Sequence, residues 1–287
     1  MQNLKNAITL LRIPFSLFLM PIYWFSLSNT PTYDWFDALL IFLTLHLFLY
    51  PTSNGYNSYY DRDEGSIGGL KKPPKVTKEL YYLILLFDVF SVLLALCVSI
   101  PFAILIFIAL MISKAYSYDK IRIKKYPILG TATVTIFQGS YTYLMIQIGL
   151  GVEIETLFST NNLLFALFST LFLCGSYPIT QIYQHEEDSK RGDITLSYLL
   201  GTWGTFAFCV ISFSLALVLL GYVYLQTQQL ERLGVFMLFT FPIFAYLLYW
   251  MKKVKGDIRF ADFEHTMMMS KISSIAFNLA FIIIAYV

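Results

Sequence analysis

Two short rows of oxygen-bearing side chains carry the chemistry of this sequence. Asn54, Asn57 and Asp61 stand at i, i+3 and i+7, and Gln181, Gln184 and Asp188 repeat the spacing. On an α-helix such positions share one face, so each row presents amide oxygens and a carboxylate in line. Hard divalent cations take oxygen ligands. Mg2+ uses one or two protein carboxylates and completes its shell with water and phosphate oxygens. Four further acids, Asp63, Glu64, Glu186 and Glu187, lie within a turn of the rows. Cations are close by: Lys120 and Arg122 in the segment from Tyr116 to Lys124, and Lys190 and Arg191 after the second row. Guanidinium and ammonium groups neutralise phosphate oxygens. The pattern reads as a site for a divalent cation and a phosphate-bearing ligand.

The elements that position these rows are set by composition. The 287 residues are 57% hydrophobic and 13% charged, about half the charge of a soluble domain, which is roughly 25%. The apolar residues form runs near the ~20 residues that cross a bilayer. Spans are expected at 7–28, 36–56, 80–99, 101–118, 128–150, 161–183, 202–226, 233–251 and 270–287. The first run carries Arg12 and Pro14 and lacks a small-residue cleavage site, so it reads as a span and not as a cleaved leader. The reading is an all-α polytopic membrane protein of about nine transmembrane helices, with 1–287 forming one domain.

Charge orients that bundle. Lys5, Arg12, Lys71, Lys72, Lys75, Lys78, Lys120, Arg122, Lys124, Lys125, Lys190, Arg191, Lys252, Lys253, Lys255 and Arg259 fall on one face. The other face has Arg232 with Asp34, Asp37, Glu153, Glu155 and Glu231. A Lys/Arg excess marks the cytoplasmic side, so the N-terminus and both polar rows are expected there, in a plasma membrane of the bacterial inner-membrane type. Lys71 to Lys78, Lys124–Lys125 and Lys252 to Lys255 read as solvated topology signals. Cys97, Cys174 and Cys209 lie in apolar runs without metal-ligand spacing and read as core residues. His46 and His265 read as packing residues, and Asp88 as an interhelical hydrogen-bonding group. His185 stands beside the second row and is open between the two roles. The net charge of +2 by itself says nothing about nucleic acid; the partners expected are lipid and small molecules, with no nucleic acid.

These residues together resemble the UbiA superfamily of intramembrane prenyltransferases. Asn57-Ser-Tyr-Tyr-Asp61-Arg62 is similar to the opening of the family's Asn-Asp-x-x-Asp-x-x-x-Asp motif after helix two, with Ser58 and Gly65 at positions where Asp is common. Gln184-His-Glu-Glu-Asp188-Ser-Lys-Arg-Gly192 is similar to Asp-x-x-x-Asp-x-x-x-Gly after helix six, with Gln184 replacing the first Asp. Tyr116 to Lys120 matches a Tyr-x-x-x-Lys element, and Arg12-Ile-Pro14 looks like the Arg-Pro near the start of helix one.

The resemblance covers essentially the whole chain and implies nine helices with an inside N-terminus. It also implies Mg2+-dependent transfer of a prenyl group from a polyprenyl diphosphate to a small aromatic acceptor, as in quinone or related lipid biosynthesis. Asp61, Asp188, Asn57 and Gln184 would hold metal. Asp63, Glu64, Glu186 or Glu187 would stand in for the missing acids, with Asn54 a further ligand. Lys120, Arg122, Lys190, Arg191, Tyr116 and Arg12 would bind diphosphate, with Asp61, Asp188 and Lys120 catalytic. Tyr56, Tyr59, Tyr60, Tyr116, Tyr118 and Tyr183 would face the allylic cation. The rivals are an ion-coupled transporter and an inactive lipid-binding relative.

Overall fold

Proline, glycine and short polar caps set where the helices of this chain begin, bend and stop. The computed structural model describes residues 2–287. Helix α1 (Gln2–Leu11) ends at Arg12, whose φ of 49° is left-handed, a conformation uncommon for a residue with a Cβ. Pro14 then opens a 3-10 segment, Ile13–Phe18, before α2 (Met20–Ser28), and the two arms meet at 41°. Asp34 caps α3 (Trp35–Leu43) by accepting the Phe36 N–H at 2.6 Å. A π segment, Thr44–Leu49, leads into α4 (Tyr50–Asp61). The helix widens there just ahead of Pro51, which has no N–H to give.

Ser99 separates α5 (Lys78–Val98) from α6 (Ile100–Ser117); it is extended, and its hydroxyl accepts the Phe102 N–H at 3.2 Å. Next come α7 (Pro127–Ile136), a π segment (Phe137–Tyr141) and α8 (Thr142–Gly149). Gly139 leaves the helical region there, and a Cβ on it would stand 2.8 Å from the Thr170 Cα. Only a glycine allows that approach to the helix that carries Thr170. A short α9 (Ile154–Leu157) precedes that helix, α10 (Thr160–Ser176). Pro178 forces a 3-10 run, Pro178–Gln184, before α11 (His185–Arg191). The chain closes with α12 (Leu196–Gln226), kinked at Gly201, then α13 (Leu230–Gly256) and α14 (Phe263–Ile284).

Among the described residues seven helical stretches are long and apolar enough to cross a membrane, counting Trp35–Asp61 (α3 to α4) and Thr160–Arg191 (α10 to α11) as one each, and the bent pair Gln2–Phe18 and Met20–Ser28, taken as one span, makes an eighth. The expected span 128–150 is the stretch from α7 to α8. It is helical but broken at Gly139, and Gln138, Gln147 and several Ser and Thr residues dilute its apolarity. It does not join the seven or eight on those criteria.

Large apolar side chains such as Ile128, Val218 and Phe241 are more than 70% exposed, as a lipid-facing surface requires. Between the helices lies an aromatic core in which Phe25 packs 4.8 Å from both Phe168 and Phe281. Without a hydrophobic drive between helices in lipid, such contact packing and buried hydrogen bonds hold the bundle. One satisfied polar set joins Tyr143, Gln147 and Asn162 at 2.7–3.2 Å. Another joins Asp88 of α5 to Lys114 of α6 at 2.8 Å and to Thr52 of α4 at 2.8 Å.

Candidate functional site

The ends of α4 and α11 meet at a cavity of about 370 Å³, within the ~300–1,000 Å³ of ligand pockets. Its polar end is lined by Asn54, Asn57, Asp61 and Asp63 from one side and by Gln181, Gln184, Asp188 and Arg191 from the other. Both rows predicted from spacing therefore converge on one space. The second row does so on a 3-10 run, where i and i+3 are eclipsed and Gln181 and Gln184 keep a common face. Away from the helix ends the wall turns apolar, with Phe137, Phe172, Phe213, Phe244 and Phe277 taken from the middles of their spans.

Asp61 is buried, with 4% of its side chain exposed, and meets two cations: the Lys124 ammonium and Arg122 at 3.3 Å. Asp193 faces the same two, bidentate to Arg122 at 2.8 Å and 3.5 Å from Lys124. The hydrogen bonds from Arg122 to Asp193 raise the pKa of the guanidinium still further above its ordinary range, so this cation is permanent. Arg122 also has a left-handed backbone, φ 43°, which turns the loop so that residues 122 and 124 reach the helix ends. Asp63 pairs with Arg191, which also contacts Glu187 at 3.1 Å. Among the described residues Asp188 has only the Thr195 hydroxyl, at 3.5 Å.

The amide groups are anchored by nitrogen. Asn57 Nδ2 donates to Ser117 at 3.1 Å and Gln184 Nε2 to the Ser66 carbonyl at 3.2 Å, so their oxygens are the atoms left for a ligand. Gln181 Oε1 and Asn54 Nδ2 are buried without any partner. Buried polar atoms are normally satisfied, and these two line the cavity. Arg12 is 9% exposed, donates to the carbonyls of Gly68 at 3.2 Å and Asn54 at 3.1 Å, and leaves its Nε unbonded. The oxygen-only donor set of Asp61, Asp63, Asp188, Asn57, Gln184 and Gln181 suits a hard cation. Lys124 and Arg122 bridge Asp61 and Asp193, and among the described residues no three acidic, His or Cys groups already converge on one point.

Other sequence-selected residues stand elsewhere. Lys120 and Lys190 are exposed, the latter paired with Glu186 at 2.6 Å, and neither lines the cavity. Glu64 is exposed. The lysine of the cavity is Lys124, expected from sequence to be a solvated charge. The turn at Arg122 carries it inward, leaving 10% of its side chain exposed. Sequence reasoning also missed Asp193 and Tyr177. Asp193 follows the motif glycine Gly192 and has no spacing partner in sequence, and the Tyr177 hydroxyl reaches Tyr116 only through the fold, at 2.6 Å. Of the six tyrosines selected, Tyr116 and Tyr183 line the cavity. Tyr56, Tyr59, Tyr60 and Tyr118 pack on one another to the side, tilted or edge to face. His185 is bonded to Ser197 at 2.7 Å.

Solved structures with this arrangement of helices exist. A UbiA homolog from Archaeoglobus fulgidus bound to GPP and Mg2+ superposes with a TM-score of 0.70 at 20% identity, over 98% of this chain and 100% of that one. The same homolog bound to DMAPP and Mg2+ gives 0.68 at 18% identity, over 98% and 99%. A digeranylgeranylglyceryl phosphate synthase gives 0.59 at 19%, over 98% and 99%. At such identities the likeness is one of fold. No curated protein matches the chain in sequence. The UbiA prenyltransferase family, in contrast, matches residues 18–275. With that match over most of its length, and with both polar rows gathered at one cavity, the chain belongs to the UbiA prenyltransferase family of membrane enzymes.

Proposed function

We propose that this protein transfers a prenyl group from a polyprenyl diphosphate to a small, electron-rich aromatic acceptor in a Mg2+-dependent reaction, in quinone or related lipid biosynthesis. The carrying observation is the two-part cavity: carboxylates and cations where α4 and α11 end, and a phenylalanine-lined wall away from them. That division suits a ligand with a charged head and an apolar tail. The A. fulgidus homolog binds such molecules, GPP and DMAPP, together with Mg2+.

Asp61, Asp63 and Asp188, with the amide oxygens of Asn57 and Gln184, would hold the metal. Bound Mg2+ supplies charge neutralisation as the diphosphate leaves. Lys124 acts twice. It neutralises Asp61 without ligand and turns to the phosphate oxygens with ligand, as Arg191 does from Asp63. Arg122 stays fixed by Asp193 and keeps the local potential positive. Such preorganised cations stabilise charge as it develops on the leaving group. Tyr116, Tyr177 and Tyr183 line the cavity, and an aromatic face turned to an allylic cation there would contribute about 2 kcal/mol when desolvated. The apolar wall positions the tail and excludes water that would quench the cation.

The Lys/Arg distribution supports a site and an N-terminus on the cytoplasmic face. The test is to incubate the purified protein in lipid nanodiscs with labelled prenyl diphosphates and a panel of acceptors. The panel should include hydroxybenzoates, naphthoates, porphyrins and glycerol phosphates, with products read by mass spectrometry with and without EDTA. A prenylated aromatic product that disappears with EDTA is expected. Prenylation of glycerol phosphate alone would overturn the aromatic acceptor, and EDTA-resistant transfer would overturn the metal.

A further inference from the structure

We infer that Glu187 stands in for a side chain at position 65 and so positions Asp63 and Arg191 at the cavity, a role that rests on the diphosphate reading above. Helix α4 ends at Asp61, and Arg62 reverses the chain with a φ of 50°. The turn that follows carries Asp63 into the cavity wall and then Gly65. Glu187 comes from α11, more than a hundred residues away in sequence, and its Oε1 accepts the N–H groups of Glu64 at 3.3 Å and Gly65 at 3.2 Å. The same oxygen takes a hydrogen bond from Arg191 Nη2 at 3.1 Å, and Arg191 Nη1 holds Asp63. One carboxylate thus ties the turn after the first polar row to the cation that follows the second.

At Gly65 a side chain and the Glu187 carboxylate compete for one space, and backbone conformation is not the issue. Gly65 is absent from the residues with positive φ, so a side chain would be tolerated by the backbone. A Cβ there would collide with Glu187 Oε2 and come within 3.1 Å of Glu187 Cδ. The Glu187 carboxylate fills the volume that a residue-65 side chain would fill, and it arrives from the opposite helix. Glu187 itself lies outside the cavity lining, whereas Asp63 and Arg191 are in it. It is therefore a positioning residue. Without it the turn loses the acceptor for two N–H groups, and Arg191 is held by Asp63 alone.

The test has a metal-free arm and a loaded arm, run on the full chain in nanodiscs. In the metal-free arm, hydrogen exchange at the Glu64 and Gly65 amides should speed by about tenfold or more in Glu187→Ala, and Glu187→Gln, which still accepts hydrogen bonds, should keep the protection. In the loaded arm, binding of a non-cleavable prenyl thiolodiphosphate is titrated with Mg2+. Half-saturation should need roughly 10–100-fold more Mg2+ in Glu187→Ala, the usual cost of losing a group that orients metal ligands. Gly65→Ala should raise the Mg2+ requirement in the same direction, and by less, because it displaces the movable end of the Glu187 side chain without removing it. The double variant Gly65→Asp with Glu187→Ala, which moves the carboxylate back to residue 65, should recover to within about threefold of the parent.

Unchanged amide exchange in Glu187→Ala overturns the inference whatever the protein binds. Faster exchange with an unmoved Mg2+ requirement overturns the positioning role, as does a double variant no better than Glu187→Ala. If the parent protein itself binds no thiolodiphosphate with Mg2+, the proposed function fails, while the exchange arm still decides the contact. Should Glu187→Ala not fold, Gly65→Ala and the double variant carry the same readings.

Discussion

Two of the Asp–Lys pairs that join different elements, Asp88–Lys114 and Asp61–Lys124, do opposite work. Asp88 and Lys114 meet at 2.8 Å between α5 and α6, with the Thr52 hydroxyl on the carboxylate and the Tyr56 ring 4.6 Å from the ammonium. Neither lines the cavity. Asp61 and Lys124 also form an ion pair, but both line the cavity and share it with Asp193, Arg191 and the partnerless atoms of Asn54 and Gln181. The first pair is complete within the protein. It satisfies charges that would otherwise be costly in a bilayer, and it fastens α4, α5 and α6. In the proposed function the second pair is complete only without a ligand, because Asp61 would take a metal and Lys124 a phosphate. The lesson is that pairing alone does not distinguish a structural ion pair from a functional one. Access to a cavity and the presence of unsatisfied neighbours do.

Substitutions can break this contrast, and the largest effect belongs to the cavity. Asp61→Ala should lower prenyl transfer by more than about 100-fold, beyond the range for groups that only orient metal ligands, while the protein still purifies folded. Near-normal turnover would remove Asp61 from the metal site and erase the distinction. Asp188→Ala should behave alike, since its carboxylate has the fewest competing partners. Lys124→Ala comes next. It removes one charge-assisted contact worth about 1.5–3 kcal/mol, so affinity for a prenyl diphosphate should fall roughly 10–100-fold, measured by binding of a non-cleavable analogue.

The structural pair should respond in stability instead. Asp88→Asn should cost about 2 kcal/mol, less than the roughly 3–5 kcal/mol of a fully buried pair because both side chains keep some exposure. The readout is the thermal midpoint in detergent. The folded fraction should retain parental affinity for the diphosphate, and a selective loss of binding would merge the two pairs into one system. Lys120→Ala is the smallest: an exposed lysine outside the cavity should change analogue binding by less than about twofold. A loss equal to that of Lys124→Ala would return the diphosphate to Lys120.

Much of this was legible in the sequence because it rests on local periodicity. Long apolar runs gave the membrane helices, and the repeated i, i+3, i+7 rows gave the two faces that meet. Arg12, Asn57, Asp61, Gln184 and Asp188 all line the cavity. The weakest span was the polar stretch from α7 to α8, where Gly139 breaks the helix for contact with α10, a reason that sequence does not display. The choice between Lys120 and Lys124 was equally hidden. Both are lysines in one basic loop, and the left-handed turn at Arg122 decides which one is buried.

What the sequence determined by itself is the class of matter: an all-helical membrane chain with oxygen donors and cations at the helix ends. Those follow from hydropathy and spacing, which are properties of neighbours in the chain. What only the tertiary structure decided is which charges share a partner. Asp193 finds Arg122, Tyr177 finds Tyr116, and Glu187 settles over Gly65. Each joins segments tens to more than a hundred residues apart, and electrostatic and hydrogen-bonding energies depend on distance in space, which spacing along the chain does not fix.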